Sequence, residues 1–156
     1  MAHLAISQYT SIGRKRLNGY LQALKDHDVS ANDSLIMYSV NCDNEDAAAI
    51  ANILSTQKCD GIFAAVEKYA ILTYEQCNKL NISIPRDVKV IAFSNLQTAS
   101  LLNPSLTTIT QPAFDIGKKS ASILFSALDK KLSMQSHSTI LKSTLIERSS
   151  TAIPVN

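Results

Sequence analysis

Three features of the chain predict an α/β fold, a parallel sheet flanked by helices on both faces. Short apolar runs alternate with segments of helical periodicity, the links between them are brief, and Val88 to Phe93 suits a strand buried on both faces. Such alternation is the pattern of right-handed βαβ units. With 156 residues, 46% of them apolar and 18% charged, the chain can bury one domain-sized core.

The elements follow in order. His3 to Ser7 reads as a strand and Gly13 to Asp26 as a helix, with Leu17, Tyr20, Leu21 and Leu24 at helical spacing. Ser34 to Val40 is a second strand. Asp43 is placed to cap the next helix, Glu45 and Asp46 put acid in its first turn, and Ala47, Ile50, Ala51 and Leu54 make its buried face. Gly61 to Ala65 is a third strand, Lys68 to Leu80 a helix ahead of the breaker Pro85, and Lys89 to Phe93 a fourth strand. The polar pair Ser94-Asn95 stands at its C-terminal end, where open parallel sheets bind ligands. After Gln111 the rhythm changes. Ala113 to Leu128 is a helix with Ile116, Ser120, Ile123 and Leu124 on one face, and Lys130 and Lys131 suit its negative end. Ser133 to Ser138 is a polar connection, Thr139 to Glu147 a last strand, and Ser149 to Asn156 a tail expected to run over the surface.

Composition narrows the function. The formal charge is only +2 and the basic residues are dispersed, so no DNA-binding footprint is visible. No apolar run approaches the roughly 18 residues of a membrane span, and the N-terminus does not read as a secretory signal. A cytoplasmic protein without membrane association is the expectation. Cys42, Cys59 and Cys77 lack CxxC spacing and read as reduced, buried or half-buried thiols, while His3, His27 and His137 are scattered singly. No metal is expected. Nucleophile elbows, phosphate loops and dinucleotide turns are likewise missing from a chain with four glycines, so neither catalysis nor a cofactor is expected.

One ordered string is more specific. Ile84-Pro-Arg-Asp-Val-Lys-Val-Ile-Ala-Phe-Ser-Asn-Leu96 is followed by Leu102-Asn-Pro-Ser-Leu-Thr-Thr-Ile-Thr-Gln111 and Phe114-Asp-Ile-Gly117. It resembles the effector module of bacterial transcription regulators of the lactose repressor (LacI/GalR) family, with its I-P-x-D-x-x-V-x-G-F-D, P-x-L-T-T-I-x-Q and G pattern. The resemblance implies a two-lobed α/β module joined by three crossovers, a small effector, typically a sugar, between the lobes, and a helix-turn-helix DNA-binding domain ahead of both. By this analogy residues 1–111 are the C-terminal lobe, 112–138 a helix and connection belonging to the other lobe, and 139–156 a returning strand and tail. The DNA-binding domain and most of the N-terminal lobe would lie outside this chain.

The resemblance also nominates site residues. Arg16, in Arg16-Leu17-Asn18-Gly19, stands where the family has an arginine whose fork binds effector hydroxyls or a carboxylate, although a solvated first-turn arginine is the plain alternative. Where the family commonly has Asn-Asp, this chain has Val66-Glu67. Glu67 either accepts from a ligand hydroxyl or merely favours the start of its helix. The family aspartate after G-F is replaced by Ser94, with Asn95 beside it. That exchange puts the usual sugar contact in doubt and should let an anionic ligand approach more readily than an aspartate would. Phe93 reads as core rather than as a stacking platform. Gln111, at the crossover, either faces the ligand or satisfies backbone groups.

Leu101 and Leu102, near Pro104, either pack under the sheet edge or await a partner. Because the family dimerises partly through this lobe, the interface reading is favoured, together with Tyr74 on the neighbouring helix. The helix after Ala113 needs cover for its apolar face, from this protomer or a neighbour. The resemblance thus implies an effector-sensing part of a dimeric regulator, reaching DNA only through another domain. The alternative is an extracytoplasmic sugar-binding protein of a transport system, which shares the two-lobe fold.

Overall fold

The computed structural model describes residues 1–40, 42–130 and 138–152. Six strands form one sheet: β1 (Ala2–Ala5), β2 (Ile36–Tyr38), β3 (Gly61–Ala64), β4 (Lys89–Phe93), β5 (Thr107–Thr110) and β6 (Thr144–Ile146). Their spatial order is β2-β1-β3-β4-β5-β6, with all pairs parallel except β5 and β6. Four helices connect them: α1 (Ser11–Asp26), α2 (Asp43–Ser55), α3 (Glu67–Lys79) and α4 (Ala113–Lys130). The step from β1 to β2 runs one way along the sheet, and those from β2 to β3 and β3 to β4 run the other way. Right-handed crossovers therefore place α1 on one face and α2 with α3 on the other.

The two faces differ in burial. Under α2 and α3, Leu4, Ile62, Ala64, Val90 and Ala92 are all buried and pack with Ile50, Ile53, Leu54, Tyr69 and Ala70 into one core. Ala64 and Ala92 are small, which lets the helices sit close. On the α1 face, His3 is buried while Phe63, Ile91, Phe93 and Ile109 are only half-buried. The expectation of a fourth strand buried on both faces thus holds for one face. α1 covers only part of the other and leaves a groove of about 680 Å³ between α1, the sheet and Ile116 of α4.

Local chemistry moves several boundaries. α1 starts at Ser11, because the Thr10 hydroxyl accepts from the Gly13 amide at 3.1 Å and caps it. A 3-10 turn over Asp33–Leu35, capped by the Asn32 side chain, shortens β2. Asp43 does not cap α2. Cys42 holds the cap position without a side-chain bond, and Asp43, Glu45 and Asp46 crowd the first turn, where the helix dipole favours acid. β5 is a strand that the apolar pattern did not predict, and β6 is shorter than the 139–147 expected.

The tail does not run over the surface at its start. Ser150 is 0% exposed. Its hydroxyl donates to the Val90 carbonyl at 2.6 Å and accepts from the Thr107 amide at 2.8 Å. Arg148 adds bonds to the Leu106 carbonyl at 2.7 Å and the Thr108 hydroxyl at 3.0 Å. The polar connection through 137 and the end of the tail from 153, Pro154 included, lie outside the described residues, as does Lys131.

α4 behaves unlike the other helices. Phe114 and Phe125 are 80% and 65% exposed, and Ile123, Leu124 and Leu128 are also open. The protomer therefore does not supply, among its described residues, the cover expected for this face. The chain leaves the sheet at Gln111 and carries the helix away from the core.

Candidate effector site at the sheet edge

The C-terminal ends of β3, β4 and β5 deliver Ala65 to Glu67, Ser94 with Asn95, and Gln111 to one edge of the sheet, and the first turns of α1 bring Arg16 there. Arg16 is half-buried and already oriented. Its Nη1 donates to the Ala65 carbonyl at 2.7 Å, and its guanidinium lies 4.3 Å from the centre of the Phe93 ring. Burial lowers its pKa from the ordinary arginine value, yet an arginine so placed keeps its charge. One nitrogen is fixed while the remaining donors of the fork stay available for a ligand. Phe93 is thus not a core residue. It shares the α1 face with Ile91 and carries Arg16, a position that strict alternation from Ile91 signals.

Ser94 is buried, and both bonding roles of its hydroxyl are used. It donates to Glu67 Oε2 at 2.8 Å and accepts from the Leu96 amide at 2.9 Å. Glu67 is exposed at the first position of α3. The Glu67 carboxylate therefore stands beside Ser94, which weakens the expectation that the exchange of aspartate for serine lets an anionic ligand approach more readily. Asn95 turns to the crossover. Its Nδ2 donates to the Gln111 carbonyl at 2.9 Å and its Oδ1 accepts from the Gln111 amide at 2.7 Å. Backbone groups at the crossover are thus satisfied by Asn95, and the Gln111 residue lines the groove beside Arg16 and Phe93.

Sequence reasoning overlooked a charged cluster that braces this edge. Asp46, 1% exposed, accepts from the Ser39 hydroxyl at 2.8 Å, and Lys68 reaches Asp46 at 3.3 Å and Asp43 at 2.6 Å. The two carboxylates, Asp43 foremost, raise the Lys68 pKa. Lys68 follows Glu67 directly, so these ion pairs anchor the turn that presents the Glu67 carboxylate. Among the described residues no group of three or more His, Cys, Asp or Glu side chains is placed to hold a metal ion. The three cysteines are free thiols, with Cys59 and Cys77 buried, and burial pushes Cys77 up to about 11.

The residues predicted for an interface lie elsewhere. Leu101 ends a 3-10 turn and is 80% exposed. Tyr74, half-buried on α3, donates to the Pro104 carbonyl at 2.8 Å and lines a second depression with Leu102 and Pro104. Burial pushes the Tyr74 phenol up to about 12.

Residues 1–151 match the model of a periplasmic binding protein-like domain. The chain belongs to this family. It is similar to the HTH-type transcriptional regulator RegA of Clostridium acetobutylicum, 31% identical over 84% of this chain and 39% of the relative. It is also similar to the ribose operon repressor of Bacillus subtilis, 30% identical over 83% of this chain and 38% of the relative. A LacI-family regulatory protein from Chloroflexus aggregans superposes with a TM-score of 0.87 at 23% identity, covering 96% of this chain and 54% of that one. A transcriptional regulator CelR bound to cellobiose superposes at 0.85 with 23% identity, over 96% of this chain and 46% of that one. The last two likenesses establish the fold. The periplasmic-binding-protein-like domain seen here is of the type carried by LacI-family regulators, and it spans about two fifths of the length of the two curated relatives. No helix among the described residues is long and apolar enough to cross a membrane.

Proposed function

We propose that this chain is the ligand-sensing lobe of a bacterial transcription regulator, holding a small effector of the sugar class at the edge formed by Arg16, Glu67, Ser94, Asn95 and Gln111. The observation that carries the proposal is the convergence of these polar groups at the C-terminal ends of parallel strands, with Arg16 fixed on Phe93 and donors to spare. Two relatives support the sugar class, one named for the ribose operon and one bound to cellobiose. Residues 1–111 form the ligand-bearing lobe, α4 belongs with a second lobe that closes over the ligand, and the chain returns in β6, which pairs with β5. Closure shifts the population of lobe orientations, and that shift reaches DNA through a helix-turn-helix domain outside this chain. The regulator acts in the cytoplasm as a homodimer, with Leu101, Leu102 and Tyr74 at the contact.

Operator binding by the intact regulator, followed by fluorescence anisotropy with and without sugar, tests the reading. Arg16→Ala should leave operator affinity unchanged and weaken the response to effector by about tenfold or more, the worth of one charge-assisted hydrogen bond. An unchanged response removes Arg16 from the site.

A further inference from the structure

We propose that a second ligand site, for a small phosphorylated metabolite, lies between the first turns of α4 and the segment that leads into β6. The depression there measures about 390 Å³ and is separate from the effector edge, since none of Arg16, Glu67, Ser94, Asn95 and Gln111 lines it.

The sequence disperses its basic residues, but the fold gathers three of them here. Lys118 and Lys119 line the depression from α4, with Ser122 one turn further along the helix, and Lys142 lines it from the incoming segment. Asp115 is the acid beside them. Three ammonium groups thus stand against one carboxylate among the described residues of this wall, in a chain whose 15 basic and 13 acidic residues nearly balance. Asp115 precedes Lys118 and Lys119 at the spacing of helical ion pairs, yet among the described residues no ion pair joins it to either of them, and none engages Lys142. The three cations are therefore uncommitted.

A lysine ammonium carries three donors and no acceptor, so ammonium groups sharing one space call for a ligand group that only accepts and has the opposite charge. A neutral hydroxyl compound leaves that charge unmatched. A phosphate monoester answers it with three acceptor oxygens and a charge of about −2, and the Ser122 hydroxyl can add one further donor. The space is of the size that takes a small molecule rather than a bare ion, and half-buried Pro112 and Leu141 give its carbon skeleton an apolar wall. The same two residues line the groove beside Arg16, so the bound anion would rest against the crossover by which the chain leaves the sheet.

The test is NMR titration of the backbone amides of this chain at physiological salt, which screens diffuse attraction. The probes are glucose 6-phosphate, inorganic phosphate and, as the neutral control, glucose. Glucose 6-phosphate is expected to shift the signals of residues 115–122 and 141–143 with a Kd of about 1–10 mM, and glucose to leave them unmoved. Inorganic phosphate should bind the same place several-fold more weakly; equal binding would overturn the metabolite assignment. The double variant Lys118→Gln, Lys119→Gln should weaken glucose 6-phosphate by about tenfold, and Asp115→Asn should tighten it by about twofold. Lys25→Gln, in the last turn of α1, should change nothing. If Lys25→Gln weakens binding as much as the double variant, the attraction belongs to the whole surface and the site is refuted. Shifts confined to residues 66–68 and 94–96 would put the anion at the effector edge and refute it too, as would the absence of any shift. Matching amide spectra away from α4 show that the variants are folded.

Discussion

Ser150 and Val90 exchange two hydrogen bonds across sixty residues of chain. The Val90 amide donates to the Ser150 carbonyl at 3.1 Å, and the Ser150 hydroxyl donates to the Val90 carbonyl at 2.6 Å. The β4–β5 pairing starts only at Ile91 opposite Thr107, so Ser150 meets the backbone of β4 one residue before its partner strand arrives. Its hydroxyl also receives the Thr107 amide, which completes the first position of β5.

Ser150→Ala should therefore cost about 2–4 kcal/mol, because two buried backbone groups lose their partner together. Urea denaturation followed by circular dichroism measures the loss. Ser149→Ala, at an exposed neighbour whose bonds among the described residues are to Ser105, should change stability by less than about 0.5 kcal/mol. Equal effects would mean that the Ser150 bonds contribute little.

The contrast between Val90 and Ser150 shows how far the sequence could be read. β4 was legible because Val90 to Phe93 is a continuous apolar run ending in a polar pair. β5 was not, since Thr107-Thr108-Ile109-Thr110 carries one apolar residue and its β-branched threonines signal a strand only weakly. The burial of Ser150 was invisible because a serine near a chain end looks like a solvated one until its partners are known. At the site, resemblance located Arg16, Glu67 and Ser94, but each was read alone. The 2.8 Å bond between Glu67 and Ser94 joins the ends of two elements, a pairing that spacing in the sequence does not signal. Phe93 was assigned to the core on the premise that helices cover both sheet faces fully, whereas α1 leaves its side partly open.

Gly13 and Gly19 both lie in α1 and should respond oppositely to alanine. A Cβ at Gly13 would strike the Ser7 carbonyl oxygen and come within 2.9 Å of Thr10 Oγ1, whereas nothing stands within 4 Å of one at Gly19. Gly13→Ala should destabilise by about 1–3 kcal/mol through this overlap. Gly19→Ala should stabilise by about 0.5–1 kcal/mol, the helix-propensity difference. Thermal unfolding of the two variants checks the sign of each.

His3 gives the fold a dependence on pH. Its ring is stacked between Tyr20 and Phe63, each centroid 5.0 Å away, and its Nδ1 lies 3.3 Å from the Phe63 carbonyl. Among the described residues Nε2 has no hydrogen-bond partner, and it is buried. Burial, with the nearby Arg16 charge as a lesser cause, lowers its pKa from the ordinary 6.5. The unfolded chain therefore takes up a proton first as pH falls. Stability is fully present above about pH 6.5 and declines below it, by up to about 1.4 kcal/mol per pH unit, until the folded-state pKa is passed. Replacing His3 with Phe keeps a ring in the stack and should flatten the stability profile between pH 6.5 and 5. Denaturation midpoints across that range measure the difference, and parallel profiles for the two proteins would assign the acid loss to other groups.

Asn95 grips Gln111 by both backbone groups, one residue along from the serine that holds the Glu67 carboxylate. The place where the chain departs toward α4 is thereby clamped to the turn that follows β4. Any displacement of that turn would pull on a rigid tether rather than a slack strap. Work done at that turn would then pass to the departing helix through two bonds and a single side chain, as a key turns a bolt.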